Sequence, residues 1–364
     1  MARSPGKREP APASPASSAL SDTAVRWLLA LIHVVCPLLF FTNLTRNPYF
    51  TQIALLNVGI ALCAVIWAVD CFRRGEWRLP RTPADLPLAA FLLAALVSSV
   101  VSWVGHPMVR SGLVFEMTRV WVFTLVNSAM VFYLPGLFTK PMGDSSRQLN
   151  IWSDIVLALV WGALWFGFHE MKSPDPDRII WDTYGAFLWG LAGLYAVLRA
   201  RDGAALAYFH LIFSVCLVAG TYGILQYWGT DIIWTSPVQP YGGRPVSSFG
   251  NPNFLSSYLM MATPLALVFS FRATGAQRWG YALVALVSGL GILSTLTRST
   301  YVGLAAALLV TGVALYRRGE FKLARPALAA LGVFIGLVLL FPHTPVSSVQ
   351  SPLARFTEIF DAMK

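Results

Sequence analysis

Charge is what this chain has least of. Asp, Glu, Lys and Arg make up only 12% of its 364 residues, against 56% hydrophobic, which is more apolar material than the core of a soluble domain of this size requires. Sustained period-two alternation is missing too, and that excludes a transmembrane β-barrel. The four cysteines, Cys36, Cys63, Cys71 and Cys216, show no metal-type spacing and read as small apolar packing residues. Carboxylates are scarcer than cations, 17 against 27. None falls in the middle of an apolar run: Asp70, Glu116, Asp154, Glu170, Asp182 and Asp202 sit at run ends or in connections. A transporter driven by a proton on a mid-membrane carboxylate is therefore disfavoured.

What the sequence has in abundance is apolar runs of membrane-spanning length. Because backbone polar groups in hydrocarbon must be satisfied within their own segment, such runs read as helices. The expected fold is all-α, a polytopic helical membrane protein with about eleven spans at 24–43, 50–69, 86–105, 120–139, 151–168, 179–198, 204–228, 254–271, 279–297, 299–316 and 326–341. Asp154 and Asp182 make the fifth and sixth the weakest. With the N-terminus cytoplasmic, 18 of the 27 Lys and Arg fall on the cytoplasmic side and 9 on the other, the bias that short cytoplasmic loops carry. This charge is spread in short clusters at membrane ends rather than on one basic face. The net charge of +10 thus points to anionic membrane lipids as partners and not to nucleic acid.

Residues 1–23, rich in Ala, Pro and Ser, bury too little apolar surface to fold and are expected as a disordered cytoplasmic tail. The bundle follows over 24–341, and 342–364 read as the start of an extracytoplasmic loop. His33 and His210 fall inside spans, and His106, His169 and His343 at or beyond their ends. No partner motif accompanies them, so each reads as structural. Gly332 and Gly336 fit either a helix interface or internal packing.

One stretch interrupts the apolar pattern. Residues 242–258, GGRPVSSFGNPNFLSSY, place turn-forming and polar residues directly before a long apolar run. Gly242 and Gly243 let the backbone at Arg244 bend and approach a ligand. Ser247, Ser248 and Asn251 precede Pro252, the pattern of a capped helix start whose free N–H groups suit an anion. A second cation, Arg298, lies in STLTRST, a junction short enough for two helices to turn on it. Charge parity puts both arginines on the extracytoplasmic side. Their planar, permanently charged forks suit phosphate oxygens, while a snorkelling anchor and a well-capped helix are the plainer readings of the same residues.

At these residues the chain resembles the O-antigen ligase and O-antigen polymerase superfamily. The run SFGNPNFLSSYL followed by PLAL is similar to the pattern that opens one transmembrane helix there. TLTRSTYVGL is similar to the arginine junction two helices later, with Thr297 and Thr300 replacing the more usual Ser and Gly or Ala. The resemblance covers about residues 220–340. It implies a glycosyltransferase of the bacterial inner membrane that uses neither cofactor nor metal. Such an enzyme takes a glycan from undecaprenyl pyrophosphate on the periplasmic side and passes it to an acceptor sugar, lipid-anchored or free, in lipopolysaccharide or other surface polysaccharide assembly. Arg244, Arg298, Asn251, Asn253 and Ser248 would hold the donor pyrophosphate. The family's catalytic histidine lies in a large loop after the next helix, and His343 is too close to the last span to correspond. No catalytic residue is assigned, and the resemblance implies a chain truncated at its C-terminus. The alternative is a non-catalytic lipid-carrier-binding protein or small-anion transporter of the same superfamily.

Overall fold

The computed structural model describes residues 17–39, 49–77, 82, 85–105, 112, 125, 127–138, 149–170, 183–231, 241–346 and 351–355. Within them the fold is all-helical, with eleven α-helices: α1 Ser17–Leu38, α2 Tyr49–Arg74, α3 Asp85–Gly105, α4 Asn127–Phe138, α5 Ile151–Glu170, α6 Thr183–Arg199, α7 Ala205–Tyr227, α8 Pro252–Arg272, α9 Ala276–Ser294, α10 Arg298–Arg317 and α11 Phe321–Leu340. One 3-10 turn, Ser247–Phe249, precedes α8. Seven helices are long and apolar enough to cross a membrane, namely Ser21–Leu38, Thr51–Arg74, Asp85–Gly105, Ala205–Tyr227, Pro252–Arg272, Arg298–Arg317 and Phe321–Leu340. This is the make-up of a multi-pass membrane protein. Ala129–Phe138, Ile151–Gly167 and Phe187–Arg199 are apolar but shorter, and α9 dilutes its apolar run with Gln277 and Arg278 in its first turn.

The first helix departs from expectation at both ends. It starts at Ser17, inside the segment expected as a tail, and stops at Leu38. Polar residues of that segment find partners near the end of α2. Ser21 Oγ donates to Asp70 Oδ1 at 3.3 Å, and Arg74 reaches Asp70 at 2.8 Å and Asp22 at 3.9 Å. Residues 1–16, the rest of the expected tail, lie outside the described residues, as do His106 and residues 120–124, 126 and 139 of the fourth expected span.

Helix α7 is the axis of the bundle. Apolar in composition almost all round, it is buried on both faces, which is what such a helix does in a core. Tyr208, Leu211, Val215 and Tyr222 belong to one apolar cluster with α1, α2, α4, α5 and α6. Phe213, Cys216, Leu217 and Ala219 belong to a second with α5, α8, α9, α10 and α11. Glycine lets α7 and α9 cross closely: a Cβ on Gly291 would lie 2.8 Å from Leu259 Cδ1 and 3.2 Å from Gly220 Cα, the close backbone approach small residues permit in membrane bundles. Gly332 and Gly336 of α11 face open space instead. All four cysteines are buried and unpaired, as their packing role requires.

Candidate functional site

The two polar stretches of the sequence meet at one end of the bundle, where α7 and α9 end and α8 and α10 begin. Gly242 and Gly243 both have positive φ, 63° and 81°, and the Arg244 N–H returns to the Tyr241 carbonyl at 3.3 Å. This tight turn sends the Arg244 side chain across to the α9–α10 junction. Its Nε donates to the Thr295 carbonyl at 3.0 Å, and its Nη2 to Thr297 Oγ1 at 2.7 Å and, more weakly, to Asn253 Oδ1 at 3.5 Å. These three partners are neutral oxygens, and the guanidinium stays half-buried.

The junction is residues 295–297, with Arg298 as the first residue of α10. It is held from within: Thr295 Oγ1 donates to the Ile292 carbonyl at 2.7 Å and lies 3.1 Å from Thr297 Oγ1. Tyr301 Oη donates to the Leu293 carbonyl at 2.8 Å. Ser256 and Thr300 hydroxyls, 2.8 Å apart, tie α8 to α10. Leu296, fully buried, sits at φ 54°. A branched residue there is strained by roughly 1–3 kcal/mol and persists only where the surroundings enforce it. Among the described residues the other non-glycine positive φ is Ser247, at 49°. The two strained positions lie in the two loops that carry the arginines.

Asn251 caps α8 as expected: its Oδ1 accepts from the Asn253 N–H at 2.8 Å, while its Nδ2 donates to Tyr241 Oη at 3.1 Å. That cap, with Pro252 lacking an N–H, leaves α8 a poorer anion site than its sequence suggested. Helix α10 has no side-chain capping bond at Thr297, whose carbonyl takes the Thr300 N–H at 3.2 Å and the Tyr301 N–H at 3.4 Å, and the positive end of its dipole lies here. Asn253 is exposed beside Arg244 and Thr297. Ser248 is elsewhere: it is 1% exposed and donates to the Pro37 carbonyl of α1 at 2.7 Å. Thus Arg244, Asn253 and Thr297 meet, with Arg298 next to Thr297 in the chain, while Asn251 supports the arrangement and Ser248 anchors it from behind.

Sequence reasoning missed a second polar cluster at the opposite end of α7 and α9. Asp154 of α5 is wholly buried. Its Oδ2 accepts from Arg199 Nη2 of α6 and from His210 Nδ1 of α7, both at 2.5 Å, and its Oδ1 accepts from Tyr195 Oη. With the carboxylate as acceptor, His210 carries its hydrogen on Nδ1 and turns Nε2 to Tyr281 Oη of α9, 2.8 Å away. Sequence position showed Asp154 only near a run end. What it pairs with depends on side chains 41 to 56 residues distant.

No known protein family, curated protein or solved structure matches this chain. Among the described residues no group of three or more His, Cys, Asp and Glu gathers to hold a metal ion.

Proposed function

We propose that the chain is an O-antigen ligase-like or polymerase-like glycosyltransferase, with the Arg244–Arg298 end binding the pyrophosphate of an undecaprenyl-linked glycan donor. The observation that carries this reading is the Arg244 side chain spanning from its own loop to the α9–α10 junction, which ties together two motifs some fifty residues apart. Arg298 opens α10, whose N-terminus adds partial positive charge near Arg244. In transfer, an acceptor hydroxyl oxygen forms the new glycosidic bond as the anomeric carbon–oxygen bond to pyrophosphate breaks, and the hydroxyl proton passes to water or to the released pyrophosphate. Negative charge grows on the departing pyrophosphate. Fixed cations at that point stabilise it without reorganising, an effect of about 3–4 kcal/mol where one such donor is removed from an enzyme.

On this reading the bundle has eleven spans in a bacterial inner membrane, the N-terminus is cytoplasmic and the arginine end is periplasmic. Lipid-anchored or free glycan acceptors would reach the same face. Farnesyl pyrophosphate, a short diphosphate of the donor's kind, tests the site in detergent-purified protein. Binding should weaken more than tenfold in Arg244→Ala and in Arg298→Ala, as lost charge-assisted bonds require. Unchanged affinity in both variants would remove the donor site. Cysteines placed at 244 and 320 should label from opposite sides of the membrane, and labelling from one side would overturn the span count between them.

A further inference from the structure

The Ser247–Phe249 turn that joins Arg244 to Asn253 is buried throughout and is gripped by two glutamine side chains, one from the preceding helix and one from a helix far away in sequence. From α7, Gln226 presents its amide oxygen, which accepts from the Val246 N–H at 3.1 Å and the Ser247 N–H at 2.7 Å. Asp231 fixes which way round that amide lies, taking the Gln226 Nε2 hydrogen at 3.2 Å. From α2, Gln52 presents its amide nitrogen, which donates to the Ser248 carbonyl at 2.7 Å across 196 residues of sequence. The same nitrogen donates to the Leu39 carbonyl at 2.7 Å, with the Pro37 carbonyl at 3.5 Å.

These carbonyls belong to the end of α1, where the last C=O groups of a helix have no intrahelical partner. Gln52 and the Ser248 hydroxyl satisfy them, and in doing so fasten the turn to the α1–α2 pair. Gln52 is 9% exposed, and a buried amide of this kind is costly unless bonded. The turn it holds contains the strained Ser247, a conformation that relaxes when its supports are removed.

We propose that Gln52 is a positioning residue for the anion site. It clasps the Ser247–Phe249 turn onto the end of α1 and so sets where Arg244, three residues before the turn, and Asn253, four residues after it, face the ligand. Gln226 performs the complementary task from α7, giving an acceptor where Gln52 gives a donor. The inference rests on the diphosphate reading above and adds to it the first two helices, which the sequence resemblance does not reach.

The test measures farnesyl pyrophosphate affinity in detergent, well below the unfolding temperature, for wild type, Gln52→Leu and Tyr281→Phe. Tyr281 contacts the distant Asp154 cluster, so its variant reports what loss of a buried bond does without touching the turn. Gln52→Leu should bind at least tenfold more weakly than wild type while Tyr281→Phe binds within twofold of it. Wild-type affinity in Gln52→Leu, with diphosphate binding otherwise intact, overturns the positioning role and leaves the site. Failure of wild type to bind overturns the site and the positioning role together. Should Gln52→Leu not fold, Ser248→Ala removes one bond from the same turn, and a loss of about threefold is expected; unchanged affinity there counts against the clasp.

Discussion

The two ends of α7 and α9 are built on opposite principles. His210 and Gln226 stand sixteen residues apart on α7, about 24 Å along the axis, and each is the centre of a polar cluster. At the His210 end, one carboxylate and one guanidinium balance in charge, and Asp154 is surrounded by donors from α6 and α7. At the Gln226 end, Arg244 donates to the Thr295 carbonyl and the Thr297 hydroxyl, two residues are strained, and α10 begins without a side-chain cap. A closed, balanced network locks helices together; on the proposed reading, the half-open arginine end receives an anionic ligand. The difference teaches that buried polarity in this bundle has two uses, and that partner chemistry tells them apart better than burial does.

The sharpest way to break the comparison is Asp154→Ala. Removing the carboxylate strands Arg199, whose side chain is only 15% exposed, and breaking a buried pair by deleting one partner costs about 3–5 kcal/mol. Thermal unfolding in detergent should show that loss. Farnesyl pyrophosphate affinity should remain within twofold of wild type at a temperature where the variant is folded. A large loss of affinity with the α8–α10 end intact would mean that the ends are not separate in function.

Much of this was legible in advance, for a physical reason. A polar residue in a greasy chain stands out, so Gly242, Gly243, Arg244, Asn251 and Arg298 were visible as a group, and proline after asparagine announced the start of α8. The all-helical class followed from run length alone. What stayed hidden were pairings. Gln52, Gln226 and Asp154 look ordinary one at a time, because their meaning lies in contacts 20 to 196 residues distant, which hydropathy does not encode. Ser248 showed the converse. It had the right residue type in the right stretch, yet the 3-10 turn rotates its hydroxyl toward α1, a local geometry that the letters SSFGN leave open.

Gly291→Ala attacks what the two ends share. The added methyl would fall 2.8 Å from the mobile tip of Leu259 but also 3.2 Å from the Gly220 backbone, which cannot step aside alone. Overpacking of this kind costs about 1–3 kcal/mol. Since α7 and α9 carry both clusters, this variant should lower the unfolding temperature and weaken diphosphate binding together. Loss of one without the other would show that the crossing serves only a single end.

Arg244→Lys sharpens the cationic end. Charge is kept, but the fork that reaches Thr295 and Thr297 together is replaced by a point charge. Affinity for farnesyl pyrophosphate should fall about tenfold, near 1.4 kcal/mol, with the unfolding temperature little changed. Retained affinity would mean that charge alone suffices there and that the bridge to the α9–α10 junction is dispensable.

Tyr281→Phe carries the smallest expected effect and isolates one bond of the balanced network. It deletes the hydroxyl facing His210 Nε2 at 2.8 Å while keeping the ring, which stacks on Phe269 at 5.3 Å and packs edge-on against Phe213 at 5.9 Å. The His210 nitrogen is left without that partner, and a single neutral bond of this type is worth about 0.5–1.5 kcal/mol. Asp154, Arg199 and Tyr195 keep their mutual contacts, so the charge balance survives and the loss should stay well below that of Asp154→Ala. Comparing the two unfolding curves separates hydrogen bonding from charge balance at this end. Equal losses would show that the network stands or falls as a unit, with His210 and Tyr281 as necessary to it as the ion pair.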